Sequence, residues 1–112
     1  MSVQVKVLIA AKQAEATQTT QYTAPTSTKA LIDKFTVTNT SATAASLSVN
    51  LVTTGDSPGA SNLILDTRVI APHECYSCPE LTGQGLEAGG YISTLASAAS
   101  ALTIRCFGRE IT

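Results

Sequence analysis

The sequence predicts an all-β fold: an antiparallel β-sandwich, jelly-roll-like or immunoglobulin-like, with an extended N-terminal segment. Three observations predict it. Apolar residues recur at every second position in several short runs, turn-forming residues separate those runs, and helical patterning is thin. One domain is expected over residues 1–112, because a chain of 112 residues has the length of a single domain and can bury a core without disulfides or metals.

Taken in order, the first strand signal is Val3, Val5, Val7 and Ile9, spaced as one face of a half-buried strand. Residues 10–16, Ala-Ala-Lys-Gln-Ala-Glu-Ala, contain helix formers but no amphipathic stripe and no N-cap. They allow one helical turn or the start of an extended arm. Residues 1–24 therefore form either an arm or an edge strand, and Ala24-Pro25-Thr26-Ser27 ends the segment. The period of two returns around Leu31, Asp33, Phe35 and Val37, with β-favouring Thr36 and Thr38 between. It is strictest in Ala45-Ser46-Leu47-Ser48-Val49-Asn50-Leu51. Residues 54–59, Thr-Gly-Asp-Ser-Pro-Gly, form a loop. The more continuously apolar run at residues 62–70 suits a central strand. Turns are expected at Ala71-Pro72-His73-Glu74, at Gly83-Gln84-Gly85 and at Ala88-Gly89-Gly90. Residues 91–95 and 101–107 complete a set of seven or eight short strands.

Composition excludes several functions. Seven Lys and Arg stand against eight Asp and Glu, for a net charge of −1, so no basic excess is present to neutralise phosphates and no nucleic-acid partner is expected. No apolar run is long enough to cross a bilayer, so no membrane partner is expected. Met1-Ser2-Val3-Gln4-Val5-Lys6 lacks a basic segment followed by an apolar stretch, so no secretory leader is expected. Charged residues make up only 13% of the chain, whereas Thr (17), Ala (16) and Ser (11) are abundant. Soluble monomers usually carry more charge on their surfaces. This surface looks made to be covered.

The chemistry-bearing residues are sparse. His73, Cys75 and Cys78, with Cys106 downstream, are the one set with a zinc-like look. The set lacks a second closely spaced pair, and two positions three apart on a strand face opposite ways. The plainer reading, three small apolar thiols and a solvated turn histidine, is preferred, and neither metal nor cofactor is expected. Cys75-Tyr76-Ser77-Cys78-Pro79 has no following helix to activate a redox thiol. The carboxylates are dispersed, and nothing selects two of them as a glycosidase pair. No catalytic residues are proposed, and an enzyme is not expected.

From residue 28 onward the order of strands and turns carries a resemblance. It runs through Ala30-Leu31-Ile32-Asp33-Lys34-Phe35-Thr36-Val37-Thr38-Asn39-Thr40 and Ile70-Ala71-Pro72-His73-Glu74, then Pro79-Glu80-Leu81-Thr82-Gly83-Gln84 and Leu86-Glu87-Ala88-Gly89-Gly90-Tyr91-Ile92-Ser93. It closes on Leu102-Thr103-Ile104-Arg105-Cys106-Phe107-Gly108-Arg109-Glu110-Ile111-Thr112. This resembles the small β-sandwich virion proteins of tailed bacteriophages, of the capsid decoration or cement type. The resemblance implies a non-enzymatic structural protein made in the host cytoplasm and carried on the capsid exterior. It also implies a homo-oligomer, commonly a trimer, seated on the major capsid protein where subunits meet. A head–tail or tail accessory component is the alternative, and a carbohydrate-binding sandwich is the rival from another class, disfavoured by the absence of Trp. The residues marked for partner binding are Gln18, Thr20 and Tyr22, together with the loop at residues 54–60. If residues 1–24 are an arm, deleting them is expected to weaken attachment and leave the sandwich folded.

Overall fold

A computed structural model describes residues 2–112. The chain forms β1 (Val3–Gln13), β2 (Thr19–Thr23), β3 (Lys29–Asn39), β4 (Ala45–Val52), β5 (Leu63–Ile70), β6 (Cys75–Tyr76), β7 (Gly85–Leu86), β8 (Tyr91–Ala96) and β9 (Leu102–Ile111), with one 3-10 turn at Ala60–Asn62. The first sheet has the order β1-β9-β3, with the short β6 and β7 both on the far side of β3. The second has the order β2-β8-β4-β5. Every pairing is antiparallel. The pairings are nested: β1 with β9, β2 with β8, β3 with β6 and β7, β4 with β5. That is one long hairpin wrapped over itself, the jelly-roll arrangement. Of the two sandwich types expected, this order selects the jelly roll.

The core lies between the sheets. Phe35, Ile32, Leu47, Ile70, Leu81, Ile92, Leu102 and Ile104 are its largest fully buried side chains. β4 realises the alternation read from sequence: Ala45, Leu47 and Val49 point in, Ser46 and Ser48 out. In β3 the phase switches part-way. A register shift between Ile32 and Lys34 leaves Leu31 and Asp33 on the outer side and turns Phe35 and Val37 inward. Opposite this bulge lies Gly108, where an added Cβ would overlap the Leu31 carbonyl oxygen and sit 2.9 Å from Leu8 Cδ1. Only glycine allows the two backbones to approach so closely.

One pair of alternatives is decided and two expectations are corrected. Residues 3–13 and 19–23 are neither helix nor arm; they are edge strands, one in each sheet. Removing residues 1–24 would therefore strip both sheets rather than detach an appendage. Within β1 the predicted face is split. Val3, Val5 and Val7 are 51%, 64% and 37% exposed, whereas Leu8 and Ile9 are buried. Bulges after Val7 and after Ile9 break the period, so consecutive residues enter the core. Finally, residues 63–70 form an edge strand and not a central one. Thr67 takes a left-handed backbone (φ 48), and Asp66, Thr67, Arg68 and Val69 are exposed.

A tyrosine latches each open side of the sandwich. On one side Tyr22 of β2 donates its hydroxyl to Glu110 of β9, which also pairs with Lys6 of β1 at 3.3 Å. On the other side Arg68 of β5 lies 4.0 Å from the ring centroid of Tyr76 in β6. The Tyr76 hydroxyl in turn donates to Glu80 at 2.7 Å. The Tyr22–Glu110 and Arg68–Tyr76 contacts each join a strand of one sheet to a strand of the other. At the corner after β3, fully buried Asn39 donates to the Thr43 and Ile70 carbonyls, both at 2.9 Å, and accepts from the Ser41 amide and hydroxyl. Its whole hydrogen-bonding capacity is used, as burial requires.

Candidate functional site

The residues marked from sequence fall into two groups that the fold keeps apart. His73 is exposed in a turn with a left-handed backbone (φ 61). Cys75 is exposed, whereas Cys78 and Cys106 are buried. Burial pushes both buried thiols up to about 12, which removes the thiolate that a metal or an electrophile needs. Among the described residues, no group of three or more His, Cys, Asp or Glu is placed to hold a metal ion. The zinc-like set is not assembled.

Gln18, Thr20 and Tyr22 point to different places. Gln18 lies over the outer side of the second sheet and donates to Ser93 Oγ at 2.7 Å and to Asn50 Oδ1 at 3.4 Å. Tyr22 is turned to Glu110 between the sheets. Gln18 and Thr20 are exposed, and Tyr22 is half-buried. The loop at residues 54–60 is held down onto the same outer side. Asn62 accepts from Asn50 at 2.8 Å and from the Gly59 amide at 3.0 Å, and donates to the Ser57 carbonyl at 3.0 Å. Tyr91 donates to the Asp56 carbonyl at 3.0 Å. These side chains spend their polar groups inside the chain.

Glu110 is the most enclosed charge. Its carboxyl is held below the ordinary value, first by the hydrogen bond from Tyr22 and then by Lys6, against the opposing effect of burial. Tyr22 is shifted up, chiefly by burial and then by Glu110. The three side chains satisfy one another, Glu110 accepting from both Tyr22 and Lys6.

The feature missed at the sequence level is the outer face of the first sheet. Direct strand partners share a face, so the register lays out three rows across β1, β9 and β3. They are Val3–Ile111–Lys29, Val5–Arg109–Leu31 and Val7–Phe107–Lys34. Arg105 opposite Thr36 extends the face beyond the third row. Arg109 grips Asp33 with two hydrogen bonds of 2.8 and 3.1 Å. A shallow depression of about 230 Å³ is lined by Lys34, Thr36, Arg105 and Phe107. The free edges of both sheets are interrupted by bulges in β1, β2 and β5 or reduced to two-residue strands at β6 and β7. Such edges resist strand addition. The faces carry no comparable protection, and the signal that could have drawn attention to this one was the Val-x-Val-x-Val run itself.

Comparison of the chain with protein-family models, with curated proteins and with solved structures finds no match.

Proposed function

We propose that the chain is a structural protein of a tailed-phage virion that decorates the capsid exterior as a homotrimer. In this reading it binds across junctions of the major capsid protein and stabilises the shell. The observation that carries it is the outer face of the first sheet, which leaves Val3, Val5 and Val7 in solvent on a fold whose edges are blunted. Contiguous exposed apolar residues rimmed by polar ones mark interaction surfaces. The resemblance to phage decoration proteins from residue 28 onward supports the choice of a capsid as the assembly. The low charge and the many Thr, Ser and Ala side chains suit close contact, because small side chains lose little rotamer freedom when ordered. Many copies, each with modest contact area, would hold by avidity.

A sugar-binding role is not favoured. Each tyrosine hydroxyl is already committed, Tyr22 to Glu110, Tyr76 to Glu80 and Tyr91 to the Asp56 carbonyl, and the chain has no Trp.

The test is copy number in purified particles, measured by quantitative mass spectrometry against the major capsid protein. Decoration predicts copies on the order of hundreds per particle. About a dozen or fewer would assign the chain to the head–tail or tail machinery. Its absence from particles would end the virion reading altogether.

A further inference from the structure

We propose that the outer face of the first sheet seats on an acidic protein surface, with Lys34 and Arg105, which share a depression with Phe107, receiving a carboxylate presented among apolar groups. The inference deepens the decoration reading by naming the docking face and the chemistry of its partner, and it depends on that reading only for the partner's identity.

Charge distribution carries the argument. The outward positions of β3 and β9 hold four basic side chains, Lys29, Lys34, Arg105 and Arg109, against one carboxylate, Asp33. The rest of the chain holds seven of the eight acidic residues. A nearly neutral protein thus has one basic face. Lys29 is paired with Glu87 at 3.7 Å and Arg109 with Asp33 at 2.8 Å. Elsewhere Lys6 and Lys12 have carboxylate partners, and Arg68 lies over the Tyr76 ring. Among the described residues, Lys34 and Arg105 are the two cations left without an acidic or aromatic partner, and the register brings them to one depression beside Phe107. The Val3, Val5 and Val7 row flanks it on the β1 side. An aromatic ring with an arginine beside it, rimmed by aliphatic side chains, is the composition of an interface centre.

The same charges identify the occupant. A second copy docking face to face would bring basic face against basic face, a like-charge juxtaposition. Two free cations would neutralise only two phosphates, short of the roughly 6–10 contacts that strong nucleic-acid binding uses. A carboxylate between the two cations, with apolar neighbours on the valines, satisfies both halves of the face.

The experiment is co-sedimentation of the purified full chain with purified phage heads and, separately, with isolated tails, at about 0.1 M and about 0.5 M salt. Wild type is compared with the double variant K34E/R105E, with V5D, and with V69E on the second sheet. Circular dichroism melts confirm that each is folded; all four positions are exposed. The expected result is binding to heads that falls roughly tenfold or more for K34E/R105E and for V5D, weakens with salt, and is unchanged for V69E. Equal binding by K34E/R105E overturns the docking face and leaves the capsid reading standing. The same losses seen only on tails overturn the capsid reading and leave the docking face standing. Binding to neither target overturns both. Reversal-sensitive self-association in light scattering, or reversal-sensitive binding of a single-stranded oligonucleotide, overturns the acidic protein partner.

Discussion

Removing one oxygen atom tests the latch on the β2 side. In Tyr22→Phe the ring stays packed against the core, and only the hydroxyl donated to Glu110 is lost. The Glu110 side chain is 8% exposed, and its remaining partner, Lys6 Nζ at 3.3 Å, belongs to a side chain 46% exposed. A hydrogen bond to a charged group contributes about 1.5–3 kcal/mol, and a half-exposed lysine replaces little of it. The expected loss is therefore about 2 kcal/mol. For a domain of this size 1 kcal/mol corresponds to about 4 °C in melting temperature, so the variant should melt about 8 °C lower. The dependence on pH sharpens the test. Glu110 titrates below its ordinary 4.5 in the folded chain, so its contribution is present above 4.5 and fades as pH falls through the depressed value. Tyr22 titrates above its ordinary 10.0, so its contribution is present below 10 and fades as pH rises through the elevated value. The gap between wild type and Tyr22→Phe should be widest between those limits and narrow on both sides. Thermal melts by circular dichroism across that range measure it. A gap below about 2 °C near neutrality, or one of constant size into acid, would refute the account of the latch.

Three further outcomes follow from the fold. Gly108→Ala should cost about 3 kcal/mol or prevent folding, because its methyl group would overlap the Leu31 carbonyl oxygen; chemical denaturation reads this directly. Native protein at mildly alkaline pH should consume one equivalent of a thiol reagent quickly, at exposed Cys75. The other two thiols, with values near 12, should react only after denaturation. Asn39→Ala should lower stability by about 2–3 kcal/mol, because the Ile70 and Thr43 carbonyls lose their donor at a buried corner.

Legibility in the sequence tracked how local the deciding interaction was. β4 is regular through Val49 on its inner side, and its alternation in residues 45–51 told both the strand and its face. The Gly89 turn, with φ 81, was marked by its paired glycines. In β1 the strand was legible and its orientation was not, because the bulges that split its face are created by pairing with β9, about a hundred residues away. The run at residues 63–70 looked central because its apolar residues are nearly continuous. What makes it an edge is the pairing order, which leaves β5 with β4 as its one neighbour, and the left-handed Thr67 is held by the Ser48 hydroxyl of that neighbour. Lys34, Arg105 and Phe107 drew no attention for the same reason. They are unremarkable in sequence and become neighbours only through the β3–β9 register. The buried thiols of Cys78 and Cys106 were foreseen, since small apolar side chains of that kind usually end inside.

The nested pairing also governs how the protein can be made. β9 is the last strand to be synthesised, yet it lies between β1 and β3 in the first sheet, and the Ser2 and Thr112 backbones bond to each other at 2.8 and 2.9 Å. Until β9 leaves the ribosome, β1 has no ladder to join, and its Val-rich stretch stays unpaired. Loop closure over nearly the whole chain must precede the β1–β9 pairing, which places the fold among the slower topologies. Until that pairing forms, the valines that later face a partner are an unpaired apolar segment open to aggregation.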